Sequence, residues 1–196
     1  LYVEANRPVD AERFAKSGVT LNPTSKDADV NYGSVLAAEK KYGEARTQFE
    51  NAAELDTKDP HPLVLEARTY EDSNALALAM PLLDRALAED PSNMEALANK
   101  AELASAQHDV KTSIATYTTI LGLVTTDADR AAVTDQMAAV YARENMASDA
   151  DATFHKAIDS YGGLAGAHIA YGDYLASKKD MTGAVREWTA AVGPNR

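Results

Sequence analysis

The chain of 196 residues contains no cysteine. That excludes disulfides, thiolate metal sites and cysteine nucleophiles. Aromatic residues make up only 7%, with a single tryptophan, although hydrophobic residues reach 45%. Much of that apolar content is alanine, which suits closely packed helices rather than a large sheet core. Positive charge is also scarce, with 19 Lys and Arg against 30 Asp and Glu, a net charge of -11 and a pI near 4.8. Neutralising phosphates needs clustered Lys and Arg, so this balance argues against a nucleic-acid partner. No run approaches the roughly eighteen apolar residues of a membrane span, which argues against membrane insertion. No secretory leader is visible either. Leu1 falls inside an expected helix, so the sequence reads as a piece of a longer protein. Its compartment stays open between cytoplasm and bacterial periplasm.

What is present is a spacing. Gly33, Leu36, Ala45, Phe49 and Ala52 are separated by steps of three and four residues, which belong to helix faces, and by one longer step across a turn at Lys41–Gly43. The same five places recur as Ala67, Tyr70, Ala79, Leu83 and Ala86, then as Ala101, Ala104, Ser113, Tyr117 and Ile120. They return as Ala138, Tyr141, Ala150, Phe154 and Ala157, and finally as Gly172, Leu175, Ala184, Trp188 and Ala191. Tyr2, Ala11, Ala15 and Gly18 fit a copy already under way at the start. An ordinary alanine-rich bundle would show helical spacing without this constant long period.

These residues resemble the tetratricopeptide repeat, a helix–turn–helix unit with a period of about thirty-four residues. Small residues let the helix pair approach closely, and an aromatic or large aliphatic residue fills the space between them. The proline that follows the family's second helix stands at Pro23 and Pro91, and is replaced by Thr57, Thr125, Gly162 and Arg196. The resemblance implies an all-α fold, a right-handed α-solenoid of antiparallel helix–turn–helix repeats, with about eleven helices plus the remnant of a first. It implies a single array over residues 1–196. Residues 1–25 would be a truncated repeat, followed by repeats at 26–59, 60–93, 94–130, 131–164 and 165–196. Tyr70, Leu83, Tyr117, Tyr141, Phe154 and Trp188 should be packed.

Local signals place the helix ends. The first helix is expected over Val9–Ser17 with Gly18 as its stop, followed by helices at Lys26–Lys40 and Gly43–Leu55. Asp59 before Pro60, Ser92 with Glu95, Thr126 and Asp180 offer N-terminal caps. Pro81 requires its helix either to begin late, near Ala79, or to bend. Three extra residues near Leu121–Asp129 read as longer helices, and Tyr161–Gly163 as a turn.

No constellation for catalysis emerges, so the chain is not expected to be an enzyme. His61, His108, His155 and His168 show no i, i+4 pair, and Ser148–Asp151 lacks the order of a calcium loop, so neither metal nor cofactor is expected. Gly162–Gly166 joins helix to helix and reads as a turn rather than a phosphate loop.

The candidate site is a surface. In the family the first helices line a concave groove that holds extended peptides or partner helices. Here that groove would present Val64, Arg68, Asp72, Glu95, Asn99, Glu102, Asp135, Gln136, Arg143, Ile169 and Asp173. A known family groove clamps terminal carboxylates with Lys, Arg and Asn. Asn99 matches one clamp position, but Val30, Ser34 and Glu95 stand where other clamp residues would be, which argues against a chaperone-tail receptor. Acidic residues outnumber Arg68 and Arg143, so a basic, partly apolar segment is the expected ligand. The reading is a scaffold binding a protein or peptide partner in the groove. The alternative is a structural or self-associating spacer module of a larger protein.

Overall fold

The computed structural model describes residues 8–160 and 165–193. It contains α1 (Pro8–Leu21), α2 (Lys26–Ala38), α3 (Tyr42–Leu55), α4 (His61–Asp72), α5 (Leu76–Glu89) and α6 (Met94–Ala106). There follow α7 (Val110–Leu123), α8 (Asp127–Arg143), α9 (Ala147–Ser160), α10 (Ala165–Ser177) and α11 (Met181–Val192). No strand occurs among the described residues. The fold is all-α, as the repeat spacing requires. Contacts divide the chain into two compact units, 1–103 and 104–196.

The turns within the helix pairs share one geometry. Lys40, Asn74, His108, Asn145 and Lys179 all have φ between 58° and 66°. They are spaced by the same intervals as the repeat. Around each, two bonds close a Schellman motif. At the first turn the Lys40 N–H donates to the Ala37 carbonyl and the Lys41 N–H to that of Leu36, both at 2.9 Å. At the last turn the Lys179 N–H donates to Ala176 and the Asp180 N–H to Leu175. A Cβ in this left-handed region costs on the order of 1 kcal/mol, which glycine avoids and asparagine lessens. Lys40→Gly and Lys179→Gly should therefore each raise stability by about 0.5–1 kcal/mol, read from the urea midpoint. Asn74→Gly should do little, and a loss of stability in either lysine variant would contradict this account of the turns.

The spacing residues are the packed ones. All of those from Gly33 to Leu175 are buried except Tyr70 and Tyr141, which are half-buried, as are Trp188 and Ala191. In unit 1, Tyr32, Leu36, Ala45 and Phe49 form one cluster, and Leu63, Val64, Ala67, Leu83, Ala96 and Leu103 belong to the next. In unit 2, Ala138, Phe154, Tyr171, Leu175 and Ala184 form a cluster against which Trp188 packs. Gly33 is small because Phe49 needs its space: a Cβ there would lie 2.7 Å from the ring.

Several boundaries differ from the sequence reading. The first helix runs through Gly18 to Leu21, and the Gly18 carbonyl accepts from the Asn22 N–H at 3.0 Å. Gly43 lies in the first turn of α3, as the expected helix at Gly43–Leu55 has it and not as part of the connecting turn, and α3 begins one residue earlier at Tyr42. The cap of α6 is Asn93, whose side chain accepts from the Ala96 N–H at 2.9 Å, while the Ser92 hydroxyl donates to Asp90. Asp59 accepts from the His61 N–H, Thr126 caps α8 and Asp180 caps α11. α5 begins at Leu76, so the late start near Ala79 is excluded and Pro81 lies inside the helix. Proline has no N–H for the Ala77 carbonyl, and Ala77 is exposed, where water can take that bond. The three extra residues lengthen α8, which has 17 residues against 13 in α2, α6 and α10. The expected turn at Tyr161–Gly163 and the packing of Tyr2 fall outside the described residues.

Candidate functional site

In unit 2 the first helices α8 and α10 enclose an open groove of about 630 Å³. Asp135, Ala139, Ala142 and Arg143 form the α8 wall, and Gly166, Ile169, Ala170, Asp173, Tyr174 and Ser177 the α10 wall. Phe154 of α9 also contributes to the lining. On each wall the lining residues recur every three or four positions, one face of a helix. Asp135, Arg143, Ile169 and Asp173, all expected from the sequence, thus meet around one space.

Unit 1 repeats the arrangement on a smaller scale. A groove of about 300 Å³ is lined by Ser34, Ala37, Ala38, Phe49, Leu65, Arg68, Thr69 and Asp72. Moving 105 positions along the chain takes these in turn to Ala139, Ala142, Arg143, Phe154, Ala170, Asp173, Tyr174 and Ser177, all of which line the larger groove. The groove is therefore a product of the repeat itself: small residues on one first helix, larger ones on the next, and a phenylalanine from the helix between. Charge is what differs. Arg68 stands in the smaller groove where Asp173 stands in the larger.

The side chains differ in how far they are engaged. Arg68 lies 3.6 Å from Oε1 of Glu95, and His61 Nδ1 lies 3.5 Å from Oε2, so Glu95 already has one cation, Arg68, beside it. Glu71 is held above the usual carboxylate range by burial, helped by the charges of Glu102 and Asp72 and opposed by Arg68. Its Oε1 and the Nδ2 of Asn99 are buried and have no hydrogen-bond partner among the described residues. In unit 2, Arg143 donates to the Ser105 hydroxyl at 2.8 Å, and the Trp188 indole donates to Asp173 at 3.0 Å. Burial, then the neighbouring Asp173 charge, pushes the Asp135 carboxyl up.

Some expected groove residues stand elsewhere. Val64 is wholly buried, at 0% exposure, in the cluster that includes Ala96 and Leu103. It lines no surface, because the face of α4 turned towards α6 is covered by packing as well as the face turned towards α5. Asn99 is half-buried, and Glu102 and Gln136 are exposed without lining a described groove. Tyr174, Ala142 and Ala170 were missing from the sequence-based set. A step of four from Asp135 reaches Ala139 and three more reach Ala142, while a step of three back from Asp173 reaches Ala170 and four on from there Tyr174. Among the described residues no cluster of three or more His, Asp or Glu side chains could hold a metal ion, and no helix is long and apolar enough to cross a membrane.

Residues 64–129 match the tetratricopeptide repeat family. Comparison with curated proteins gives no match. Among solved structures the chain is similar to a chain of the APC/C hetero-tetramer Cut9–Hcn1, with a TM-score of 0.64 and 19% identity. That likeness covers 100% of this chain and 38% of the other, so this chain spans well under half of that protein. It is also similar to YrrB, a TPR protein with an unusual peptide-binding site (TM-score 0.61, 17% identity, 91% of this chain and 90% of that one). A third is MamA from Desulfovibrio magneticus RS-1 (TM-score 0.62, 17% identity, 85% and 93%). At these identities the structural likenesses carry the fold alone. Residues 64–129 thus carry tetratricopeptide repeat sequence, and the chain as a whole shares its all-helical fold with solved structures that include a TPR protein.

Proposed function

We propose that this chain is a protein-interaction scaffold whose first helices hold an extended polypeptide segment, with no chemistry of its own. The observation that carries this reading is the groove of about 630 Å³ between α8 and α10, whose walls are mostly apolar with a few polar groups. Open apolar concavities with sparse polar groups are what ligands fill. Its recurrence at equivalent positions of α2 and α4 gives unit 1 a smaller groove of the same construction. The peptide-binding site named for YrrB, a protein of similar fold, points the same way.

The test is selection of short peptides from a random library, followed by chemical-shift mapping of the bound complex. Selected peptides should perturb the amides of Asp135, Ala139, Ile169 and Asp173. Ile169 is 48% exposed in the groove wall. Ile169→Asp should weaken binding at least about tenfold with helical content unchanged, because a carboxylate replaces the apolar contact. Peptides that bind elsewhere, or that ignore this substitution, would overturn the assignment. The self-association alternative is favoured by Met181, Val185 and Val192 of α11, which are 55%, 54% and 80% exposed. A sedimentation coefficient that rises with concentration, and ceases to do so in Val185→Asp, would support it.

A further inference from the structure

We infer that the groove between α8 and α10 takes a segment bearing a lysine or arginine beside apolar residues, with the cation held between Asp135 and Asp173. This inference rests on the groove reading above and names the chemistry of its ligand.

Both carboxylates belong to the groove lining, and Asp135 feels the charge of Asp173. Asp135 has no ion pair or hydrogen bond from its side chain among the described residues. The side-chain bond to Asp173 comes from the neutral Trp188 indole. Two like charges therefore face one concavity, and among the described residues no cation pairs with either. Both residues are exposed, but they stand on the walls of a concavity, which focuses their field, so an incoming positive charge gains more there than on an open convex surface.

The other charges near the groove do not fill this place. Arg143 lies eight residues from Asp135 on α8, about 12 Å along the axis, and is tied to Ser105. Lys178 lies over the Tyr174 ring, 5.7 Å from its centroid. The equivalent groove of unit 1 has Arg68 in the place of Asp173, and Arg68 lies beside Glu95. The acidic preference expected for the whole row of first helices thus narrows to one end of one groove. Ile169 is one helical turn from Asp173, and Ala139 is one turn from Asp135. They provide apolar surface for the methylene stem of a lysine or arginine whose head reaches the carboxylates.

The experiment uses three labelled peptides of identical apolar content that differ only in a central pair of lysines, glutamines or glutamates. Binding is read by fluorescence anisotropy at low and high ionic strength. The lysine peptide should bind about tenfold more tightly than the glutamine peptide at low salt, and the margin should shrink at high salt. The double variant Asp135→Asn with Asp173→Asn keeps side-chain size and the acceptor for Trp188. It should erase that margin, so that the lysine and glutamine peptides bind the variant alike. If the three peptides bind equally, or the margin survives in the double variant, the cation assignment falls while the groove reading stands. If none of them binds, both fall together.

Discussion

Truncating Phe154 to alanine should cost about 3–5 kcal/mol, the range for deleting a fully buried phenylalanine side chain. Phe154 is 2% exposed. Its ring stacks on Tyr171 with centroids 5.0 Å apart and lies 5.4 Å from Tyr174 at a tilt of 36°. Removing it loses the transfer free energy of the ring and leaves a cavity that these neighbours can fill only by moving. Ala138 and Ala184, in the same cluster, are too short to close it. The melting temperature should fall on the order of 10 °C. Trp188 packs against this cluster and is the only tryptophan in the chain, so its fluorescence in urea reports the unfolding of unit 2. Phe49→Ala, the equivalent truncation in unit 1, should cost a similar amount, since Phe49 is 1% exposed. A loss below about 1 kcal/mol for Phe154→Ala would mean that the site collapses freely and that the ring does not organise the unit.

The same ring connects stability to the site. Phe154 lines the groove with Ala139 and Ala170, so its removal also deforms the surface offered to a ligand. This dual use explains what the sequence made legible. The repeat spacing is a packing code, and packing is what the positions of Leu36, Phe49, Leu83, Phe154 and Leu175 report. Those residues are buried where the spacing places them. The groove is legible only to the extent that it lies opposite the packed stripe. Asp135, Arg143, Ile169 and Asp173 follow from that geometry. Val64 does not, because a first helix between two neighbouring repeats is covered on more than one side, and a single-helix pattern cannot register the second neighbour. Nor could the pattern show which carboxylates are already engaged. Glu95 and Asp135 look alike as acidic residues on first helices, yet one has Arg68 and His61 beside it while the charge felt by the other is that of Asp173. Turn geometry was hidden for a different reason. Lysine, asparagine and histidine occupy the left-handed positions where glycine would have announced them, and the glycine that seemed to mark the first turn, Gly43, is helical.

Glycine to alanine should have opposite signs at two helical positions, with packing deciding each case. In a helix interior the exchange gains about 1 kcal/mol from backbone entropy and solvation. Gly122 of α7 is exposed, and a methyl added there would meet no atom within 4 Å. Gly122→Ala should therefore keep most of that gain, reduced because the helix ends at Leu123. Gly33 lies in the middle of α2, where its Cβ would come within 2.7, 2.9 and 3.0 Å of three Phe49 ring carbons. The ring presents three adjacent atoms to the methyl and is itself 1% exposed, so neither rotation nor a small displacement relieves the clash. Overpacking of this kind costs about 1–3 kcal/mol or more, which exceeds the propensity gain. Gly33→Ala should therefore destabilise by about 1–2 kcal/mol net, and Gly33→Ala with Phe49→Leu should recover part of the loss by making room. Urea midpoints of the two single variants and the double variant decide the matter. A stabilised Gly33→Ala would show that α2 and α3 can move apart, and that close approach at this glycine is not what fixes the helix pair.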